Sequence, residues 1–393
     1  MEIYLCGPVR TAIGSFGGAF EGTPAVVLGS VVAQAAVAQA GLKASDVDEV
    51  IFGNVISAGL GQNVARQVSI GAGFSTSVPA ATINKVCGSG LKAIMLAAQA
   101  IQCGDASVVV AGGTENMSRA PYLLEKARTG YRMGNGVLVD SMIKDGLWDV
   151  YGDVHMGTCG DRLAAKYGIN RQQLDDFAVA SFKRAIAAAN EKRVAAEIEP
   201  VRVQSGRETI SVVEDESPKR FNEEKLRKLR PAFGEHGTVT AGNASSINDG
   251  AAAVAVVSAE KVKSLGLKPV AKILGYASFS REPEWFTLAP VGAIQKLLKK
   301  LSLRVGDVGL FEVSEAFAVV ALAAMKELAI PHEKINVDGG AVALGHPIGA
   351  SGARMVVTLL NAMKQRGVRL GLDAICIGGG EAVAMAVELC DSQ

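Results

Sequence analysis

An excess of either charge is missing from this sequence: 40 Lys and Arg face 39 Asp and Glu, a formal net charge of +1. Near-neutrality removes the global electrostatic case for binding nucleic acid or an anionic membrane surface. Metal-ligand spacing is absent too, because the four histidines (His155, His236, His332, His346) form neither an HxxxH nor an HExxH pair. Six cysteines (Cys6, Cys87, Cys103, Cys159, Cys376, Cys390) lie scattered over 393 residues. They have neither the density of a disulfide scaffold nor the paired short spacings of a zinc site, and they read as reduced thiols. No run approaches the roughly 18 uninterrupted apolar residues of a membrane span. The stretch Met1 to Pro8 shows no basic segment ahead of a long apolar core. These absences predict a cytoplasmic protein with no nucleic-acid and no membrane partner.

Aromatics are also few, at 5%, while hydrophobic residues reach 49% and glycine numbers 45. That mixture suits Ala/Val-rich helices packed tightly on strands and excludes disorder. The length predicts two or three structural units. A similar order of elements occurs twice. In the first half, Asp46 to Val55 reads as a loop feeding a short buried strand, followed by Val86-Cys87-Gly88-Ser89-Gly90, a helix from Leu91 to Gln102, and a β-rich run from Ala106 ending in Gly112-Gly113. In the second half, Asp307 to Val313 is the counterpart strand. Gly349-Ala350-Ser351-Gly352, a helix through Met363, and Asp373 to Ile377 ending in Gly378-Gly379-Gly380 follow it. Alternating strands and helices predict a duplicated α/β architecture with mainly parallel strands covered by helices. The segment between the halves is of another kind, with loops such as Thr129 to Gly136, a charged stretch from Lys219 to Arg230, and a helix start at Asn170 whose Ala-rich run extends to Asn190. We divide the chain into an N-terminal half at 1–117, an inserted loop domain at 118–248, a return to the N-terminal half at 249–270 and a C-terminal half at 271–393.

Three side chains stand at glycine-rich turns and carry candidate chemistry. Cys87 precedes a helix start, where unpaired N–H groups and the positive end of the helix dipole favour a thiolate. His346 lies in the loop Gly339 to Gly352 and exchanges protons near neutral pH. Cys376 ends a strand beside Gly378-Gly379-Gly380, whose N–H groups can receive developing negative charge. Two thiols and one histidine so placed suit covalent acyl transfer coupled to proton abstraction beside a carbonyl.

The chain resembles the thiolase family from end to end. The resemblance rests on Pro8 to Gly14, Asn84 to Lys92, Ala111 to Ser118, Thr240 to Ser245 with Asn248 to Ala252, Gly345 to Gly352, and Cys376 to Gly380. It implies a five-layered αβαβα core of two similar halves with an inserted loop domain, assembled as a homodimer or a tetramer of two dimers. It implies acetyl-CoA C-acetyltransferase activity in fatty acid metabolism, the reversible condensation of two acetyl-CoA to acetoacetyl-CoA and CoA. No cofactor would be bound permanently, CoA and acyl-CoA being substrate and product. By the resemblance Cys87 carries the acyl group, His346 activates its sulfur, and Cys376 moves the proton of the second acetyl-CoA. The N–H groups of Cys87 and Gly378 form one oxyanion hole. The pantetheine and acyl end would be met by Leu147, His155, Met156, Phe233, Ala241, Ser245, Ala316 and Phe317. Phe286 stands where short-chain members often have Met, and Lys219 or Arg220 would meet the adenine nucleotide.

One motif departs from the family. Ser314, in Val313-Ser314-Glu315-Ala316-Phe317, replaces the usual Asn, whose amide holds a water that joins the histidine in stabilising the thioester enolate. A serine hydroxyl also donates to a water. Two other readings compete: a degradative 3-ketoacyl-CoA thiolase of broader chain length, and a catalytically weak thiolase-like protein that binds acyl-CoA. A ketoacyl synthase would be expected to have a second histidine where Cys376 stands.

Overall fold

The computed structural model describes residues 1–391, the side chain of residue 205 excepted. Nine strands build its main sheet: β1 (Ile3–Arg10), β2 (Glu49–Gly53), β3 (Ala80–Ile83), β4 (Val108–Asn116), β5 (Asn248–Ser258), β6 (Ala271–Ser280), β7 (Leu310–Val313), β8 (Leu370–Ile377) and β9 (Glu381–Leu389), with the short strand Gly14–Ser15 added beside β5. The principal helices are α1 (Ala25–Gln39), α2 (Val64–Gly71), α3 (Ser89–Cys103), α4 (Met156–Tyr167), α5 (Arg171–Asn190), α6 (Ala289–Leu301), α7 (Ala318–Leu328) and α8 (Ile348–Arg366).

Strand order is β7-β8-β9-β6-β1-β5-β4-β2-β3, and within the sheet the two halves join where Tyr4 and Leu5 of β1 pair with Lys272 and Ala271 of β6. Each half repeats one plan. In the first, β1 pairs antiparallel with β5, β5 antiparallel with β4, β4 parallel with β2, and β2 parallel with β3. In the second, β6 pairs antiparallel with β9, β9 antiparallel with β8, and β8 parallel with β7. A parallel bridge between Phe311 and Ile335 stands where β3 stands in the first half. The sheet is therefore mixed, not mainly parallel as the alternation of elements predicted. The reason is local: β8 and β9 are joined by a tight turn at Gly378 to Gly380, and such short connections make antiparallel neighbours.

Three buried clusters separate the helical layers. One joins α1 and α2 to the outer face of the first half, and another joins α6 and α7 to the outer face of the second. Between them, α3 and α8 pack against each other and against the inner faces of both halves. The strands buried on both faces read as continuous Ala/Val runs, as in β5, where every residue is buried. The stretch Val86–Cys103 is long and apolar enough by composition to span a membrane, with a mean hydropathy of 1.2. Here it supplies the central helix α3, with Leu91, Ile94 and Ala98 fully buried.

Close approach at the centre depends on missing side chains. A Cβ on Gly352 of α8 would lie 2.5 Å from the Leu91 nitrogen of α3. A Cβ on Gly113 would lie 2.0 Å from the Gly349 oxygen. Gly112 and Gly113 therefore do not end a strand, as the sequence reading expected. They lie inside β4, whose ladder with β5 runs on to Asn116, and Gly113 admits the start of α8 while Gly112 lies against the backbone of Ala252 and Ala253 in β5. The segment between the halves holds α4, α5 and short hairpins. Asn170 caps α5 as expected: its Oδ1 accepts the Gln173 N–H at 3.0 Å, while Gln173 Oε1 accepts the Asn170 N–H at 2.9 Å.

Candidate active site

Duplication places Cys87 and His346 in equivalent positions. Each stands two residues ahead of a central helix, Cys87 before Ser89 of α3 and His346 before Ile348 of α8. Both line one cavity of about 580 Å³ whose wall is largely apolar.

The turn before Cys87 is strained. Val86 has φ of +44°, a left-handed conformation that a β-branched residue rarely adopts. Neighbouring polar groups hold it there. The Val86 N–H donates to Asn84 Oδ1 at 2.9 Å, its carbonyl accepts the Ser89 hydroxyl at 2.6 Å, and the Lys85 N–H donates to that same Ser89 oxygen at 2.8 Å. The helix start does not, however, make Cys87 a standing thiolate. Burial pushes its thiol up to about 12, with the neighbouring Cys376 adding to the rise, while the N–H groups of Gly378 and of Cys87 itself act against it. Desolvation outweighs the helix end, so the resting group is a thiol that needs a base.

His346 is built to be that base. Burial, helped by the charge of Arg354, lowers its pKa to about 4, so the ring is neutral near pH 7. Its Nδ1 lies 2.7 Å from Ser351 Oγ, and the Ser351 hydroxyl donates to the Pro347 carbonyl at 2.9 Å. With the serine proton committed to Pro347, the imidazole must donate from Nδ1, which leaves the lone pair on Nε2. Nε2 is buried and has no hydrogen-bond partner among the described residues. The backbone is fixed as well: the His346 N–H donates to Asn248 Oδ1 at 3.0 Å, and the Asn248 amide donates to the Gly14 carbonyl at 2.9 Å.

Cys376 lies at the end of β8, fully buried, and its thiol is pushed up to about 11, chiefly by burial. Ser314 follows β7 directly, and its hydroxyl lies 3.1 Å from the Cys376 sulfur. Neither residue lines the cavity, whereas Gly378, just beyond Cys376, does.

The structure gathers most of the other expected residues around the same cavity: Leu147, His155, Met156, Phe233, Ala241, Ser245, Phe286, Ala316 and Phe317 all line it. His155 caps α4, its Nδ1 accepting the Gly157 N–H at 3.1 Å, and stacks on Phe233 with centroids 4.5 Å apart. Burial holds His155 below the usual histidine range. Phe317 meets Phe233 and Phe286 edge to face at 6.1 and 6.4 Å. Phe286, only 2% exposed, closes this aromatic end.

The two basic candidates part company. Arg220 reaches the cavity. Lys219 lines a separate cavity beside α5 and pairs with Glu214 at 2.5 Å, because the short helical turn Ser217–Arg220 turns successive side chains apart.

Sequence reasoning missed Ser351 and Asn248, which orient the histidine. Both stood inside motifs already singled out, and the Pro347 to Ser351 spacing of one helical turn was the available signal. Phe16, at the mouth of the cavity, had none.

Comparison with known proteins agrees along the whole chain. Residues 3–260 match the family described as "Thiolase, N-terminal domain" and residues 267–389 match "Thiolase, C-terminal domain". The chain is 51% identical over 388 residues to an acetyl-CoA acetyltransferase of Pseudomonas aeruginosa, covering 98% of this chain and 99% of the relative. To an acetyl-CoA acetyltransferase of Chromobacterium violaceum it is 52% identical over 390 residues, covering 99% and 100%. Among solved structures, the Acat5 thiolase of Ascaris suum in complex with coenzyme A superposes with a TM-score of 0.94 at 44% identity, covering 99% of this chain and 100% of the other.

Proposed function

The chain belongs to the thiolase family and is an acyltransferase, and from that premise we propose that Cys87 carries an acetyl group between two molecules of acetyl-CoA. The reaction is the reversible Claisen condensation to acetoacetyl-CoA and CoA, the activity named for relatives of about 50% identity. One observation carries the roles: Cys87 and His346 meet in one cavity from the ends of two central helices, with His346 Nε2 left as the lone-pair nitrogen.

His346 takes the Cys87 proton as the sulfur attacks the acetyl thioester, and returns it to the departing CoA sulfur. The N–H groups of Cys87 and Gly378, which already face that sulfur, suit the oxyanion of the tetrahedral intermediate. A second acetyl-CoA then loses an α-proton to the Cys376 thiolate, and its carbon attacks acetyl-Cys87. Collapse frees acetoacetyl-CoA, and the proton held by Cys376 passes to the departing Cys87 sulfur, which restores the Cys87 thiol and the Cys376 thiolate. Thiolysis runs the same steps backwards. CoA is substrate and product, with its pantetheine end against the His155–Phe233 stack and its nucleotide toward Arg220. The Phe286 wall favours an acetyl group over long acyl chains.

We read the protein as a cytoplasmic homotetramer of fatty acid metabolism. Support for assembly comes from apolar side chains of the inserted segment that stand open to solvent: Met133 is 97% exposed, Val137 73% and Tyr151 71%. Light scattering of the purified protein tests the assembly. Mass spectrometry after mixing with acetyl-CoA tests the function: an acetyl adduct on Cys87, absent in Cys87→Ala, is expected, and no adduct on the parent protein would overturn the reading.

A further inference from the structure

Ser314 has a partner other than the water its place in the motif leads one to expect. Its N–H donates to the Ala374 carbonyl at 3.0 Å, continuing the β7–β8 ladder one step past the end of β7. The Cys376 N–H, at 3.1 Å, donates to Ser314 Oγ, so a side chain takes over where the strand's carbonyls stop. That bond uses the oxygen as acceptor, and among the described residues the partner left for the hydroxyl proton is the Cys376 sulfur at 3.1 Å. Ser314 itself is held rigidly. Asn336 bonds both backbone groups of Val313, at 2.8 Å each, and Glu315 is fixed by Asn336 and Ser181.

The duplicated half repeats the arrangement with other chemistry. Gly53 pairs with Gly113 as Val313 pairs with Ala374. Asn54 and Ser314 are each the first residue past the strand, and Glu115 and Cys376 each lie two residues past the partner position. The Asn54 amide donates to Glu115 Oε1 at 3.0 Å. In both halves, then, the polar residue after the strand reaches the side chain of the neighbouring strand's end.

We propose that Ser314 is a positioning residue for Cys376: its hydroxyl accepts from the sulfur when that is a thiol and donates to it when it is a thiolate. The proposal rests on the acetyl-transfer reading and assigns Ser314 to the proton-transfer half of it. The hydrogen bond survives the step in which the substrate C–H bond breaks and the S–H bond forms, because the hydroxyl rotates from donor to acceptor. Burial, the Ser314 hydroxyl and the residue's own N–H set the ionisation of Cys376. Cys87, from the turn before α3, is the titratable group whose charge couples with it, and Ala382 of β9 stands across from it in the ladder.

Two half-reactions separate this role from a structural one. Acetylation of Cys87 is read as the burst of CoA release, and proton abstraction as deuterium entry into the methyl group of acetyl-CoA. Ser314→Ala should leave the burst within about twofold while slowing exchange by roughly tenfold and moving its pH limb upward by about one unit. Ser314→Thr, which keeps the hydroxyl, should restore both. An unchanged exchange rate in Ser314→Ala, or equal losses in burst and exchange with an unmoved limb, would overturn the proposal alone. Absence of acetyl-Cys87 in the parent protein would bring down the acetyl-transfer reading and this assignment with it.

Discussion

Removing the Ser351 hydroxyl should cripple the base without touching the nucleophile. In the folded protein the His346 Nδ1 proton rests on Ser351 Oγ at 2.7 Å, and the Ser351 proton is committed to Pro347 at 2.9 Å. Ser351 is 1% exposed, so no bulk water replaces it. A neutral hydrogen bond of this kind contributes about 1 to 1.5 kcal/mol, and a buried N–H left without an acceptor costs about 1 to 3 kcal/mol. In Ser351→Ala the Nδ1 proton has lost its acceptor, and because Nε2 is buried without a partner as well, nothing holds the proton on Nδ1; the imidazole that carries it on Nε2 has no lone pair for Cys87. At 1.4 kcal/mol per tenfold, loss of the bond alone shifts the ratio of the two tautomers by about tenfold away from the productive one. Quenched-flow measurement of Cys87 acetylation should show a loss of that size with KM for acetyl-CoA unchanged, and Ser351→Thr should recover it. Acetylation by Ser351→Ala at the parental rate would refute the tautomer argument. So would a matching loss of affinity, which would place the effect in the cavity wall.

Four further outcomes follow from the same geometry. Because His346 is held neutral down to about pH 4, instead of the ordinary 6.5, the acetylation rate should stay level as pH falls from 7 to about 5; a fall centred near 6.5 counts against the burial argument. The stability sign runs the same way: the unfolded histidine takes a proton below 6.5 and the folded one does not, so its contribution is full above 6.5. About 3 kcal/mol is lost as pH falls toward 4, measurable as a smaller acid loss in His346→Gln. Gly352→Ala should lower the melting temperature by a few degrees, since its Cβ meets the Leu91 backbone at 2.5 Å and overpacking costs about 1 to 3 kcal/mol; parental melting would show that the central helices part freely. Phe286→Val should raise kcat/KM for longer 3-ketoacyl-CoAs relative to acetoacetyl-CoA by about tenfold, and an unchanged ratio would remove Phe286 from chain-length control.

The repeat was legible in the sequence because its punctuation is chemical. A strand that ends in a polar residue and a helix that begins beside Cys87 or His346 leave marks in glycine, serine and asparagine that local sterics explain. Strand direction was not legible, since Ala/Val-rich runs bury equally well in parallel and antiparallel ladders, and only the turn at Gly378 to Gly380 decides for β8 and β9. Nor was the ionisation of Cys87. A helix start argues for a thiolate, but whether the sulfur also faces the N–H of Gly378, Cys376 and an apolar wall depends on contacts from the other half of the chain. Lys219 and Arg220 show the same limit at one-residue resolution, where a single step along a turn sends one cation to the cavity and its neighbour to Glu214.

Duplication also explains why the acid–base partners differ in kind while their positions match. Two central helices bring two equivalent turns to one cavity, and the chain has placed a nucleophile at one and a base at the other. At the second pair of equivalent places, behind the cavity, the first half keeps an amide on a buried carboxyl and the second keeps a hydroxyl on a thiol. Burial raises Glu115 to about 7 and Cys376 to about 11, so the carboxyl titrates near neutrality and the thiol well above it. Glu115 is spent on structure, accepting the N–H groups of Val55, Ile56 and Gly349 and so tying the end of β2 to the start of α8. Among the described residues Cys376 accepts no such backbone donors from other segments, and its sulfur is therefore the member of the pair still available to take and return a proton.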